Sequence, residues 1–204
     1  SSHLADNPPL TPESARKRAI ECFGKGDLDA LVDLLKEMDR HDLHSLDLSN
    51  VGYSTLTTNG ELKLIGDGSS QRPGFTIQAF NCLAKFFGER YLSVGHLKTL
   101  NLQGSCLSEL TPLLNLLKEL NEADFLKLTH LNLSEVVFLR DSNGNKLAQE
   151  PGAEDALKLF GLQAAHIKIL IDLLQSPNSL EYLGLENQPA VKKPHGTPPQ
   201  AILV

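Results

Sequence analysis

The feature that most constrains the fold is a six-residue pattern, Leu-x-x-Leu-x-Leu, which occurs four times and begins at Leu43, Leu97, Leu128 and Leu180. In the second copy, Leu100 and Leu102 alternate with polar neighbours. Alternation with a period of two is typical of a strand with one buried and one exposed face. One copy of so loose a pattern carries little weight, but four copies predict four strands of the same kind. These strands are predicted near residues 44–49, 98–103 and 129–134 and from about residue 181.

Helix signals precede and separate the leucine copies. Thr11-Pro12-Glu13 is typical of a helix N-terminus, because it combines a hydroxyl cap, a proline and an acid near the positive end of the helix dipole. Gly24-Lys25-Gly26 predicts the end of that helix, and Asp27 predicts the cap of a second one. Further helices are predicted over about 77–92, from Thr111 and over about 154–175. Strands alternating with helices predict an α/β fold.

Two stretches carry a resemblance to a known family. Leu97 to Leu107 reads L-x-x-L-x-L-x-x-S-C-L, and residues 167–183 read IKILIDLLQSPNSLEYL. The first resembles the strand motif, and the second the helix-to-strand junction, of leucine-rich repeat proteins of the ribonuclease-inhibitor type. The resemblance covers most of residues 43–188 and implies a short solenoid, or horseshoe. Parallel strands would line its concave face, and helices its convex face.

The chain also departs from the family pattern. Where the family usually has asparagine after the strand, this chain has Val51, Ser105, Val136 and Gln188, so the asparagine ladder is expected to be mostly missing. The four copies start 54, 31 and 52 residues apart, whereas a usual unit has about 20–29 residues. Both long units contain an Asn-Gly pair, which is a strong hairpin signal. A duplicated long-short pair and separate hairpin insertions both explain this spacing.

These features predict three parts. Residues 1–42 form an N-terminal helical cap, because the open end of a solenoid must be covered; a free-standing helical domain is the alternative. Residues 43–190 form the irregular repeats, with hairpin-like insertions at about 52–74 and 136–152. Residues 191–204 form a C-terminal tail that is rich in proline and lysine. Its apolar end, Ala201 to Val204, either packs on the last repeat or marks where a longer protein was cut.

The polar residues between the leucines are predicted to form one surface, because they point away from the buried face. Strands in register place them in three columns: Ser45, Thr99, His130 and Tyr182; Asp47, Asn101, Asn132 and Gly184; Ser49, Gln103, Ser134 and Glu186. The candidate protein-binding residues are Ser45, Asp47, Thr99, Asn101, Gln103, His130, Asn132, Tyr182 and Glu186, with Tyr53 from the first insertion. A solvated face without a partner, and binding through the two hairpins, are the alternatives.

Composition and motifs argue against several functions. A net charge of −6 argues against general nucleic-acid binding, since phosphate recognition needs a basic face. No apolar run approaches the roughly 18 residues of a membrane span, and no signal peptide is visible. Three widely spaced cysteines form no disulfide framework, which predicts an intracellular, reducing compartment. No phosphate-binding loop or zinc-protease motif occurs, so no catalytic residue, metal site or cofactor is predicted.

The sequence therefore predicts a non-catalytic protein–protein interaction module. Irregular unit lengths, hairpin insertions and a cap on a short array are similar to repeat proteins that intracellular bacteria secrete into host cells. That likeness implies an effector acting in a host cytosol. Two other interpretations stay open: a targeting domain of a longer enzyme, and a regulatory scaffold of the chain's own cell.

Overall fold

A computed structural model of the chain describes residues 8–56, 62–65, 85–90, 95–106, 110–136, 162–186 and 201–203. Its strands, in chain order, are β1 (Ser45–Asp47), β2 (Tyr53–Leu56), β3 (Leu62–Ile65), β4 (Thr99–Asn101), β5 (His130–Asn132), β6 (Tyr182–Gly184) and β7 (Ala201–Leu203). Its helices include α1 (Pro12–Lys25), α2 (Leu28–Arg40), α3 (Thr111–Glu122) and α4 (Ala164–Gln175). Residues 85–89 are also helical.

The four leucine copies form the parallel sheet that the sequence predicts. Strands β1, β4, β5 and β6 lie side by side in that order and run parallel. Leu46, Leu100, Leu131 and Leu183 are aligned across the four strands, and each is at most 1% exposed. A fully buried leucine contributes about 1.5–3 kcal/mol to the free energy of unfolding. The predicted α/β class, with a four-stranded parallel sheet, is therefore confirmed.

Each strand is three residues long, which is shorter than the sequence predicted. In three of them the last residue is aspartate or asparagine, and its side-chain oxygen accepts a hydrogen bond from the amide two residues later. The bonds join Asp47 to Ser49, Asn101 to Gln103 and Asn132 to Ser134, each at 3.0 Å. Such a bond turns the chain, so the strand stops before the last leucine of the pattern.

The two N-terminal helices begin where the sequence predicts. The Thr11 side chain and the Ser14 side chain cap each other's backbone amides at the start of α1, and Gly26 ends the helix with a left-handed φ of 68°. Asp27 caps α2 by accepting from the Ala30 amide at 3.0 Å. Gly24 does not end α1, which continues to Lys25. The two helices pack on each other and share the buried cluster with the strand leucines.

Helices α3 and α4 pack against each other along leucine-rich faces. Helix α3 starts at Thr111, as predicted, and buries Leu113, Leu114 and Leu117 in the same cluster as the strand leucines. The buried amide of Asn121 donates to the Pro177 carbonyl at 3.0 Å and so ties the end of α3 to the segment that follows α4.

Backbone hydrogen bonds continue from strand to strand beyond the sheet itself. Asn50 donates to the carbonyl of Gln103, and Gly104 donates to the carbonyl of Ser134, at 2.8 and 2.9 Å. Asn50, Gly104 and Glu135, which hold equivalent places in their units, all have positive φ, between 54° and 70°. The turns after the strands therefore repeat as the strands do.

A serine links two of these turns. Ser105 is fully buried; its hydroxyl donates to the Leu48 carbonyl at 2.5 Å and accepts from the Val51 amide at 3.3 Å. The hydroxyl thus satisfies one donor and one acceptor of the preceding unit. The short Ser105 side chain therefore bonds two successive units to each other.

The first predicted hairpin is present. Strands β2 and β3 pair antiparallel, with Tyr53 opposite Ile65 and Leu56 opposite Leu62. The Asn59-Gly60 turn lies outside the described residues, as do the second insertion beyond Val136, residues 154–161 of the predicted helix and residues 187–200.

The sequence analysis assigned no strand to the C-terminal tail, but β7 is one. It pairs antiparallel with β6, so that Ala201 lies opposite Gly184 and Leu203 opposite Tyr182. The outer edge of β6 is therefore covered by a strand of opposite direction.

Candidate functional site

The structure aligns the polar residues as the sequence predicts. Ser45, Thr99, His130 and Tyr182 are directly opposite one another across the four strands, and so are Asp47, Asn101, Asn132 and Gly184. These eight residues define the surface called here the polar face. Ser45 and His130 are exposed, Gly184 is buried, and the other five residues of the polar face are partly buried. Because the leucines between them are buried, the polar face is the opposite side of the sheet.

The third column continues the polar face into the turns. Gln103 accepts a hydrogen bond from the Asn132 amide at 3.0 Å, and Ser134 accepts one from the backbone of Glu186 at 3.0 Å. Gln103 and Glu186 are partly buried, and Ser134 is 2% exposed. Asn132 and Gln103 are thus fixed to each other, which orders the middle of the surface without the help of a ligand.

Gly184 provides the room for this arrangement. A methyl group at this position would lie 2.5 Å from Oδ1 of Asn132 and 2.9 Å from Oγ of Ser134. The Asn132 side chain therefore lies over the glycine of the neighbouring strand. The space above Gly184, which has no side chain, is thus occupied by the Asn132 side chain.

Two aromatic rings lie together on strands β5 and β6 of the polar face. The rings of His130 and Tyr182 are stacked, with centroids 5.7 Å apart and planes inclined by 23°. The His130 ring also contacts the hydroxyl of Thr129, which is 2.9 Å from Nδ1. Stacked rings held from one side provide a rigid apolar surface with polar edges, which is the composition of interface anchors.

The β1 side of the polar face, called here the near side, contacts helix α1. Nη1 of Arg16 donates to the Asp47 carbonyl at 3.2 Å, and Nη2 donates to the Ser49 carbonyl at 2.6 Å. The Asp47 carboxylate lies 3.4 Å from Nη1. Arg16 was not among the predicted site residues. The one available signal was its place beside the buried helix positions Ala15 and Ala19, because a long cation at such a position reaches across the interface.

A cleft of about 420 Å³ lies between this helix and strands β1 and β4. Its walls include four predicted residues, Ser45, Asp47, Thr99 and Asn101, and several that sequence reasoning missed, among them Glu13, Arg16, Met38, Asp42 and His44. Clefts of about 300–1,000 Å³ hold small ligands or single peptide side chains. The structure thus brings half of the aligned polar residues into one concave place.

The remaining predicted residue, Tyr53, lies in β2 of the hairpin. Its side chain is outside what the structure describes, and so are the side chains of Leu56, Leu62 and Leu64 in the same hairpin. The hairpin as a competing binding surface stays a prediction.

His44, His96, Cys22 and Cys106 are further described side chains with metal-binding or nucleophilic atoms. His44 lies 3.4 Å from the Asp42 carboxylate, and its ring packs edge-on against His96 at 6.4 Å. No group of three or more metal-ligating side chains occurs among the described residues. Burial, and next the Asp27 carboxylate, raise the pKa of the Cys22 thiol above its ordinary value, so at neutral pH this thiol is protonated and a weak nucleophile. Cys106 is buried.

No helix in the described part of the chain is long and apolar enough to cross a membrane. No protein-family model matches the chain, and no curated protein or solved structure shows a significant match. The function therefore has to be argued from the residues of the polar face and the cleft.

Proposed function

We propose that this chain is a protein-interaction module of the leucine-rich repeat type, in which the polar face binds another protein. The one-to-one alignment of four leucine copies as parallel strands supports the proposal. So does the repetition of the turns, because equivalent positions carry the same positive φ and the same hydrogen bonds. A solenoid built from further copies of this geometry would present its alternate residues as one continuous surface.

The observation that carries the proposal is the order of the polar face. Asn132 is held by Gln103, and the His130 and Tyr182 rings are stacked on each other. A surface that is ordered before binding loses less side-chain entropy in a complex, which favours affinity.

The size of the polar face limits what it can do alone. Four strands at about 4.8 Å spacing span about 15–20 Å, whereas a stable interface buries about 800 Å² on each partner. We therefore expect the β2–β3 hairpin or the cleft to contribute to binding as well. The rings of His130 and Tyr182 would act as the anchor, since tyrosine is enriched among residues that dominate interface energies.

The test is a comparison of matched variants with a purified partner, first captured from cell lysate and then measured by calorimetry. Tyr182→Ala is expected to weaken binding by about 2 kcal/mol, roughly 30-fold, and His130→Ala by less. The exposed helix residues Lys168 and Ile171 provide the control, because they lie on α4. Deletion of residues 53–65 tests the hairpin.

Full affinity in both ring variants, together with loss in the hairpin deletion, would move the binding surface to the hairpin. Equal losses in the ring variants and in the α4 controls would refute any specific role of the polar face. Action inside a host cell, which the likeness to secreted bacterial repeat proteins implies, stays a prediction.

A further inference from the structure

Strand β1 has one edge that no other described strand covers. Backbone groups alternate between the two sides of a strand. The carbonyl of His44 and the amide of Leu48 bond to the β4 side. The backbone groups of Ser45, Asp47 and Ser49 therefore face the opposite, uncovered edge.

Arg16 covers only the second half of this edge. Its guanidinium donates hydrogen bonds to the carbonyls of Asp47 and Ser49, and the Ser49 amide donates to the Asp47 carboxylate. What remains is the N–H and C=O of Ser45 and the N–H of Asp47, and no hydrogen bond joins them to another residue in the part of the chain that the structure describes. One residue of an added parallel strand would donate to the Ser45 carbonyl and accept from the Asp47 amide, and the carbonyl two residues before it would accept from the Ser45 amide.

The cleft described above opens beside these groups, because Ser45 and Asp47 both line it. Its charge is unbalanced: Glu13, Asp42 and Asp47 contribute carboxylates, and of these only Asp47 lies against the guanidinium of Arg16. Glu13 is exposed, and the Asp42 side chain is 97% exposed. A cationic group at the mouth of the cleft would therefore be attracted to it.

We propose that this cleft binds a short extended segment of a partner protein, which adds to the open edge of β1 and places a lysine or arginine between Glu13 and Asp42. The proposal rests on the proposed function, since it names the kind of partner segment that the near side of the polar face would hold. Main-chain hydrogen bonds supply the affinity in this mode of recognition, and side-chain pockets supply the specificity.

The cleft also defines the length and pattern of the segment. Arg16 blocks the edge after Asp47, so only two or three residues of the segment can pair with β1. Side chains alternate along an extended segment. A residue next to the cationic one would meet the apolar wall formed by Ala15, Met38 and Leu43. The expected pattern is thus a basic residue with an aliphatic neighbour.

The experiment uses a bead library of random capped hexapeptides, sorted with the fluorescently labelled chain. Recovered peptides are resynthesised and measured by fluorescence polarisation against three variants. Ser45→Pro removes the N–H on the open edge and leaves the β4 side intact, and proline is tolerated at the first residue of an edge strand. Glu13→Lys reverses one charge of the cleft, and Glu119→Lys makes the same change on the exposed side of α3 as the matched control.

The expected result is recovery of peptides rich in lysine or arginine. Their affinity should fall about tenfold in Ser45→Pro and in Glu13→Lys, and stay unchanged in Glu119→Lys. N-methylation of the peptide backbone at the paired residue should give a similar loss. If Ser45→Pro fails to fold by circular dichroism, the N-methylated peptides and Glu13→Lys decide the matter.

Three results would overturn the proposal: no peptide binding below about 1 mM, peptides that bind equally after N-methylation, or equal losses in Glu13→Lys and Glu119→Lys. Concentration-dependent self-association that Ser45→Pro abolishes would also overturn it, because a second copy would then fill the cleft. None of these results touches the stacked rings of His130 and Tyr182, whose variants test the proposed function separately.

Discussion

Replacing Arg16 with leucine tests whether this one side chain satisfies the backbone carbonyls of Asp47 and Ser49 on the open edge of β1. Its guanidinium donates to two backbone carbonyls, those of Asp47 and Ser49, and its side chain is 24% exposed. A hydrogen bond to a charged group contributes about 1.5–3 kcal/mol. Water reaches both carbonyls after the substitution and replaces part of each bond, so each bond is worth about 1 kcal/mol, the value for an ordinary hydrogen bond. The ion pair with Asp47 adds at most about 1 kcal/mol, because that carboxylate is 44% exposed.

The expected loss in the free energy of unfolding is therefore about 2–3 kcal/mol. For a chain of this size it corresponds to a fall of about 4–12 °C in Tm, at about 2–4 °C per kcal/mol. Urea titration followed by circular dichroism measures the change, and an unchanged slope shows that the unfolded state is unaffected. Arg16→Lys should lose about half as much, since an ammonium group lacks the planar fork that reaches both carbonyls.

Lys17→Leu is the control for this prediction. Lys17 is the next residue of α1, it is exposed, and its replacement removes the same charge. A surface substitution of this kind changes stability by less than about 0.5 kcal/mol. Equal urea midpoints for Arg16→Leu and Lys17→Leu would refute the reasoning, because charge or helix propensity would then explain the loss. A greater loss in Arg16→Lys than in Arg16→Leu would refute it as well.

Four further predictions test a turn, the sheet, helix α1 and a thiol. Ser105→Ala removes the buried hydroxyl that bonds to the Leu48 carbonyl and the Val51 amide of the preceding turn, so we expect a loss of about 1–3 kcal/mol in urea unfolding; a neutral result would show that water replaces the hydroxyl. Gly184→Ala should destabilise the chain by about 1–3 kcal/mol, because its methyl group would overlap the asparagine of the neighbouring strand. Gly24→Ala should stabilise it by up to about 1 kcal/mol, because Gly24 lies in a helix with no atom near the added methyl group; the same sign in both glycine variants would contradict this. In a Cys82→Ser background, Cys22 should react with iodoacetamide more slowly than free cysteine at pH 8, and faster as the pH rises, because the pKa of its thiol is raised; mass spectrometry of the labelled peptide measures both rates.

The strand alignment could be predicted from the sequence because the leucine pattern leaves only one choice. Shifting a strand by one residue would turn Leu100 to solvent and Thr99 into the core, and the penalty would repeat at every leucine of the copy. The helix starts were predictable for a different reason. A cap such as Asp27 bonds to an amide only three residues away, so the sequence contains both partners of the interaction.

Several contacts of the fold, including those of Arg16 at the cleft, could not be predicted, because their partners are far apart in the sequence. Arg16 bonds to backbone carbonyls 31 and 33 residues away, and backbone acceptors leave no mark in the sequence. Ser105 bonds to Leu48, which is 57 residues away. Strand β7 has only three residues, and its pairing depends on the neighbouring edge of β6 rather than on its own pattern.

The near edge of the sheet explains how a partner segment would enter the cleft. An unprotected strand edge attracts other strands and promotes aggregation. At the far edge, β7 runs antiparallel to β6 and occupies the place where a further parallel strand would pair with β6, so β7 itself is the outermost described strand. At the near edge, Arg16 closes the groups after Asp47 but leaves those of Ser45 open beside the acidic cleft. Because Arg16 leaves only a short part of the β1 edge open, and that part lies in an acidic cleft, a short basic segment could pair there but a long, flat strand could not. The same arrangement would therefore limit aggregation and select a partner.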